Sequence, residues 1–117
     1  MNILLKVAAG APGQPNLDNI TPNTAELSWT KPSKDGGGKL QGYVVEKKKK
    51  GGEWETATEV PATSTHAKVN DLVEGEEYQF RVRALNEAGP GEPSKPTNPI
   101  KAEYQPGIVL WNIILLF

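Results

Sequence analysis

A glycine-rich segment, residues 34–39 (KDGGGK), contains the residue types of a phosphate-binding loop. In such a loop, backbone amides surround a phosphate and a lysine reaches it. The pattern does not match, because Ser33 stands where the motif needs its first glycine and Leu40 follows Lys39 in place of serine or threonine. No helix is predicted after the segment, so no helix dipole would face a phosphate. We interpret the segment as a loop between strands.

Four consecutive lysines at residues 47–50 are the second feature that could bind a charged ligand. Only Tyr43 and Trp54 are near the run as aromatics on which nucleic-acid bases could stack. Glutamates surround the run, at positions 46, 53, 55 and 59. The favoured interpretation is a solvated strand end that discourages edge-to-edge pairing of sheets, and the alternative is a binding patch.

The only histidine, His66, lies on the polar side of a predicted strand, with no nucleophile and no second metal ligand near it. We interpret it as an exposed strand residue. The sequence shows no pair of carboxylates in a pocket motif, no nucleophile with a base and no metal-ligand spacing. We therefore predict that the protein is not an enzyme and has no catalytic residue, metal or cofactor. The absence of cysteine excludes disulfides and thiolate chemistry. It weakly favours a reducing compartment.

Length and charge narrow the class of protein further. A chain of 117 residues favours one domain with its own core. Its 13 basic and 14 acidic residues are interspersed and give a net charge of −1. This balance provides no overall field for nucleic acid or an anionic membrane, and we predict neither as a partner.

The stretch that must organise the fold is residues 72–86, which ends in the cleanest alternation of the chain. Its apolar side chains fall on one face of a strand and its polar side chains, including Arg81 and Arg83, fall on the other. A slip of one residue would bury both arginines, so the register of this strand is strongly specified.

Similar patterns elsewhere predict seven strands separated by glycine- and proline-rich turns. They cover residues 16–20, 25–30, 42–47, 54–60, 65–69, 78–86 and 94–102. The prolines of the last strand place it at a sheet edge or a bulge. We predict an all-β fold, a seven-stranded antiparallel β-sandwich of immunoglobulin-like type. The predicted structural core comprises Trp29, Tyr43, Val45, Leu72, Tyr78, Phe80 and Val82.

Two tails flank the predicted domain, residues 12–103. Residues 1–11 are apolar but lack the charged start of a secretory signal, and Lys6 interrupts them, so we interpret them as a linker or an added remnant. The second tail is residues 104–117, and its part 107–117 is apolar on both faces and about half as long as the ~20 residues of a membrane-spanning helix. We expect this tail to be non-native or disordered.

The ordered set of motifs resembles a fibronectin type III domain over residues 12–103. The motifs are Trp29, Tyr43 with Val45, the run Leu72-x-x-Gly75-x-x-Tyr78-x-Phe80-Arg81-Val82-x-Ala84-x-Asn86, and Gly89-x-Gly91-x-x-Ser94. An antibody-type immunoglobulin domain fits poorly, because its cysteine pair and third-strand tryptophan are absent. Residues 35–38 (DGGG), 42–48 (GYVVEKK) and 81–91 (RVRALNEAGPG) are similar to domains of giant muscle proteins of the titin and twitchin type.

This resemblance implies a tyrosine corner at Tyr78, whose hydroxyl would bond to upstream backbone. It also implies a non-catalytic structural and protein-interaction module, one bead of a tandem-domain muscle protein in the cytoplasmic sarcomere. Its partners would be myosin in the thick filament and neighbouring domains of the same chain, and we expect a monomer in isolation. The possible partner surface comprises Arg81, Arg83, Lys47, Lys48 and Lys49.

Two alternatives remain open at the level of sequence. The first is an extracellular module of an adhesion receptor, for which Asn19-Ile20-Thr21 would be a glycosylation acceptor, although Pro22 disfavours its use. The second is an engineered consensus scaffold. The loop that contains Gly89-Pro90-Gly91 has no Arg-Gly-Asp, so integrin binding cannot be carried over from the family.

Overall fold

The computed structural model describes residues 7–105, and within them every regular element is a β-strand. Most of both predicted tails, residues 1–6 and 106–117, lies outside the described range. The strands are β1 (Asn16–Ile20), β2 (Ala25–Ser28), β3 (Gly42–Lys49), β4 (Glu55–Pro61), β5 (His66–Val69), β6 (Glu77–Asn86), β7 (Gly89–Pro90) and β8 (Ile100–Lys101).

The strands form two antiparallel sheets that enclose one core, which confirms the predicted all-β sandwich. One sheet has the order β1-β2-β5, and the other has the order β4-β3-β6-β7, with β8 also paired to β6. β6 is central in its sheet, and its residues alternate between half-buried and buried along the whole strand. It pairs with β3 from Gly42 opposite Leu85 to Lys49 opposite Tyr78.

The interior is built mainly from aromatic and β-branched side chains. All seven residues of the predicted core lie there, and none is more than 5% exposed. Trp29 and Tyr43 meet edge to face with ring centroids 5.4 Å apart, while Tyr78 and Phe80 stack at 6.1 Å. Burying each such side chain contributes about 1.5–3 kcal/mol, so this cluster dominates the stability of the sandwich.

The prediction of a continuous last strand over residues 94–102 is wrong, because the strand is interrupted. On the edge of β6 that does not face β3, regular pairing within the described residues is limited to Gly89–Pro90, before the predicted strand, and Ile100–Lys101. Prolines stand at positions 90, 93, 96 and 99, and each lacks the N–H group that a regular ladder requires. The segment between β7 and β8 therefore contacts β6 at every third residue, through Gly91, Ser94 and Thr97.

Two hydroxyl groups complete the pairing along this interrupted edge. The backbone N–H of Ser94 donates to the Val82 carbonyl at 2.8 Å, and the Val82 N–H donates to Ser94 Oγ at 2.9 Å. Thr97 and Phe80 exchange the same two bonds at 2.8 and 3.0 Å. Side-chain oxygens thus replace the carbonyls that the proline-interrupted backbone cannot align, which explains why these two polar residues are buried.

The ends of β6 mark opposite poles of the domain. At one end, the Asn86 side chain contacts the Val7 carbonyl, and at the other end Glu77 pairs with Lys101. A ten-residue strand spans roughly 30 Å at about 3.3 Å per residue. The two ends of the described chain therefore lie at opposite poles.

The turn before β6 contains the hydrogen bond expected of a tyrosine corner. The Val73 backbone N–H donates to the Tyr78 hydroxyl at 2.8 Å, and Tyr78 is 2% exposed. The turn also uses positive backbone angles at Asp71 (φ 60°) and Gly75 (φ 84°). Tyr78 therefore ties this strained turn to the core.

The three tyrosines of the chain give a matched set of hydroxyl deletions. Tyr78→Phe should lower the free energy of unfolding by about 1–2 kcal/mol, because the Val73 N–H loses its acceptor. Tyr43→Phe should be neutral or stabilising, since the Tyr43 hydroxyl is buried without a hydrogen-bond partner among the described residues. Urea denaturation of the full chain measures both changes.

Tyr104→Phe is the control, because Tyr104 is 62% exposed. Its free energy of unfolding should equal that of the parent. Equal losses at Tyr78 and Tyr104 would contradict the tyrosine-corner assignment.

Candidate functional site

The outer face of the five-stranded sheet brings together the charged residues that the sequence suggested as a partner surface. Alternation along β3 and β6 points Glu46, Lys48, Arg81 and Arg83 away from the core, with Glu46 directly opposite Arg81. Trp54 stands just before β4 and contacts two of the cations. We call these five residues the sheet-face cluster.

One carboxylate holds both arginines of the sheet-face cluster. Glu46 Oε1 accepts hydrogen bonds from Nε of Arg81 at 2.7 Å and from Nε of Arg83 at 3.0 Å. The three side chains are only 15%, 18% and 27% exposed for Glu46, Arg81 and Arg83. Arg83 is further fixed by a bond from Nη1 to the Gly91 carbonyl at 2.9 Å. The arginines are therefore held in place and are not free surface charges.

The Glu46 carboxyl is kept ionised by its two neighbours. Partial burial alone would raise the pKa of Glu46, but the hydrogen bonds and positive charges of Arg81 and Arg83 outweigh it. The pKa of Glu46 therefore lies below its ordinary value of 4.5. At neutral pH the sheet-face cluster carries one negative and three positive charges.

Trp54 is a partly buried aromatic side chain against which cations of this cluster lie. The Arg81 guanidinium carbon lies 4.2 Å from the centroid of the Trp54 ring, and Lys48 Nζ lies 5.9 Å from it. Both distances are within the range of cation–π attraction. The sequence had suggested Trp54 only as an aromatic near the lysines, and the contact with Arg81 follows from pairing β6 next to β3.

The lysine run has a different position from the predicted one. β3 is paired with both β4 and β6, so the expectation that the run protects a sheet edge is wrong. The end of the run is exposed at Lys49 and Lys50, as a solvated strand end would be. Lys47 forms an ion pair with Glu55 at 3.8 Å, Lys48 belongs to the sheet-face cluster, and Lys49 is exposed near the turn to β4.

A second notable arrangement lies at the pole where residues 7–10 run. Asn86 is 4% exposed, and its Nδ2 donates to the carbonyls of Val7 and Asp35, both at 2.8 Å. Its Oδ1 accepts from the Ala88 N–H at 2.8 Å. One buried amide thus joins the N-terminal segment, the β2–β3 loop and the β6–β7 turn.

Close backbone approach reinforces this joint. Ala9 is buried in the core, the Gly10 N–H donates to the Lys34 carbonyl at 2.8 Å, and Glu92 N–H donates to the Ala9 carbonyl at 3.1 Å. Gly36 has φ +79°, and a side chain there would collide with the Val7 carbonyl. The glycine-rich loop therefore packs against the N-terminal segment. These contacts favour counting residues 7–11 as part of the domain.

Residues 7–105 contain neither a metal-binding cluster nor a membrane-spanning helix. No group of three or more histidine, cysteine or acidic side chains there could hold a metal ion. No helix in that range is long and apolar enough to cross a membrane. His66 lies exposed on β5.

Comparison with known proteins identifies the family to which this β-sandwich belongs. The profile of the family described as "Fibronectin type III domain" matches residues 10–100, and the chain belongs to this family. Domains of the family are generally non-catalytic modules.

Relatives of the chain include proteins named for muscle. It is 41% identical over 76 residues to the titin homolog of Caenorhabditis elegans, covering 64% of this chain and 0%, to the nearest per cent, of that protein. It is 38% identical over 98 residues to the cardiac-type myosin-binding protein C of Rattus norvegicus, covering 80% of this chain and 8% of that protein. The chain thus spans only a small part of these relatives.

Solved structures with a similar fold include one titin module and one structure that is not named for muscle. Titin module A71 from human cardiac muscle matches with a TM-score of 0.73 and 37% identity, over 81% of this chain and 93% of that one. The FN1–FN3 domains of chicken CNTN1 match with a TM-score of 0.75 and 30% identity, over 81% of this chain and 33% of that one.

Acidification should weaken the fold through Glu46. A carboxyl whose pKa is lower in the folded state stabilises the protein above its unfolded pKa, and this contribution is lost as pH falls through the folded pKa. Glu46→Gln should therefore reduce stability at pH 7 and flatten the loss of stability below pH ~4.5. Thermal unfolding of the parent and Glu46→Gln between pH 7 and pH ~2.5 measures this.

Glu74→Gln, at an exposed position, is the control, and we expect it to keep the slope of the parent. If Glu46→Gln and Glu74→Gln gave the same pH profile, the arginine pairing of Glu46 would not contribute to stability.

Removing the Asn86 amide should loosen the N-terminal segment. Asn86→Ala leaves the carbonyls of Val7 and Asp35 and the N–H of Ala88 without this partner, at a cost of about 1–3 kcal/mol. Hydrogen exchange at the amides of Gly10 and Glu92 should accelerate more than exchange in β6.

Asn98→Ala is a control at an exposed asparagine and should change neither stability nor exchange. Unchanged exchange at Gly10 in Asn86→Ala would show that the amide does not hold the segment.

Proposed function

We propose that this chain is a structural and protein-interaction module of a tandem-domain muscle protein associated with thick filaments in the sarcomere. The observation that carries the proposal is that Val7 and Lys101, near the two ends of the described range, lie at opposite ends of β6 in a domain whose relatives include a titin homolog. Domains with this arrangement can be joined in series.

The seated N-terminal segment supports a load-bearing role in such a series. Residues 7–10 are fixed to the domain by Asn86 and by the backbone bonds of Ala9 and Gly10, so a preceding domain would be attached at a fixed point. A connection fixed to the domain in this way would bend less than a flexible glycine- and serine-rich linker.

Myosin is the proposed partner, because one relative is named a myosin-binding protein. The face available for such contacts carries the predicted partner residues, with Arg81 and Arg83 held in place and Lys49 exposed. We propose that the chain acts as a monomer that binds through this face, in the cytoplasm, without catalysis.

Cosedimentation with purified striated-muscle myosin filaments tests the proposal. The full chain should pellet with filaments in a saturable manner and remain in the supernatant without them. Serum albumin is the control for trapped protein. Absence of saturable binding would remove the thick-filament assignment and leave a spacer domain.

An extracellular adhesion module is the second candidate, favoured by the likeness to the CNTN1 domains, which are a receptor-type neighbour. Asn19 is exposed on β1, and its Nδ2 donates to Glu26 Oε2 at 3.0 Å. Secretion of the chain from cultured animal cells, with a glycan mass that Asn19→Gln removes, would favour this candidate. Secreted chain without a glycan would count against it.

A further inference from the structure

Four of the five N–H donors of Arg81 make no hydrogen bond within residues 7–105. Its Nε is bonded to Glu46, but neither terminal nitrogen makes a hydrogen bond to any residue within 7–105. Among those residues, the buried side-chain nitrogen and oxygen atoms without partners belong to Trp29 and Tyr43 alone. The terminal nitrogens of Arg81 therefore keep some contact with solvent, although the side chain as a whole is 18% exposed.

The guanidinium of Arg81 is also fixed in orientation before any ligand arrives. Glu46 holds it from one edge at 2.7 Å, and the Trp54 ring lies against it at 4.2 Å. A guanidinium held in this way has little conformational freedom left to lose on binding. Its two terminal nitrogens match the two oxygens of a carboxylate.

The charges around Arg81 select the kind of ligand. Within the sheet-face cluster, Arg81, Arg83 and Lys48 outnumber Glu46 by two charges, so an anion is favoured there. Exposed glutamates at 53, 55 and 59 stand along the adjoining β4 side and would repel a continuous polyanion such as nucleic acid or an anionic membrane. One or two carboxylates fit this pattern better than a row of phosphates.

We propose that Arg81, presented on Trp54 and flanked by Lys48, is a binding site for a carboxylate on an acidic segment of a partner protein. The carboxylate would accept two hydrogen bonds from the terminal nitrogens of Arg81, and apolar atoms of the same segment would cover the exposed part of Trp54. The proposal rests on the protein-interaction function above, but it does not require that the partner be myosin.

The test titrates the isotopically labelled full chain with a synthetic ten-residue glycine peptide that contains two glutamates. Shifts of the Trp54 indole N–H and Arg81 Nε–H signals in nuclear magnetic resonance spectra report binding. We expect both signals to shift together, and we expect a matching glutamine–glycine peptide to shift neither. Binding should weaken as salt is raised through roughly 0.15 M.

Two variants and a matched control locate the site. Arg81→Ala should weaken peptide binding by about tenfold or more, as expected for loss of a bidentate charged pair. Trp54→Ala keeps every charge and should also weaken binding, because the guanidinium loses its platform. Lys68→Ala removes the same charge from exposed β5 on the other sheet and should leave binding unchanged.

Several outcomes would overturn the proposal. Equal effects of Arg81→Ala and Lys68→Ala would show a general charge effect. Tighter binding of a ten-nucleotide RNA or of phosphatidylserine vesicles than of the acidic peptide would assign the face to polyanions. Peptide binding with no myosin cosedimentation would sustain this site and remove only the myosin assignment, so the two failures are distinguishable.

Discussion

The pairing of β3 with β6 is the constraint on which the remaining structure depends. In this register Tyr43 and Val45 face Ala84 and Val82 on the inside, and Glu46 faces Arg81 on the outside. A shift of one residue would exchange these two faces and bury the arginines. The core and the charged outer face are thus two consequences of the same hydrogen-bonded ladder.

Polar groups in the interior follow a different logic from the apolar core. Ser94, Thr97 and Asn86 are buried, yet each one satisfies backbone groups that local sequence has left without a regular partner. At the edge strand, the spaced prolines leave backbone groups of β6 without regular partners. At the pole, three chain segments converge and their backbone groups lack regular partners. Their burial is therefore part of the fold, because an unpaired backbone group would cost more than the side chain does.

The sequence predicted the fold well where a period of two decides it. The burial of Tyr78, Phe80 and Val82 follows from alternation, and the bond of Tyr78 to Val73 follows from the family pattern. The sequence could not predict which strands lie side by side. That is why the lysine run was wrongly placed at an edge, and why the shared bonds of Glu46 were not foreseen.

The interrupted edge has a mechanical consequence. Tension applied between the two poles acts along β6, while the bonds that join the edge segment to β6 lie across that direction. Such bonds are loaded together in shear and do not open one after another. Because Ser94 and Thr97 each contribute two bonds to β6, the load is concentrated at a few doubly bonded points along the edge.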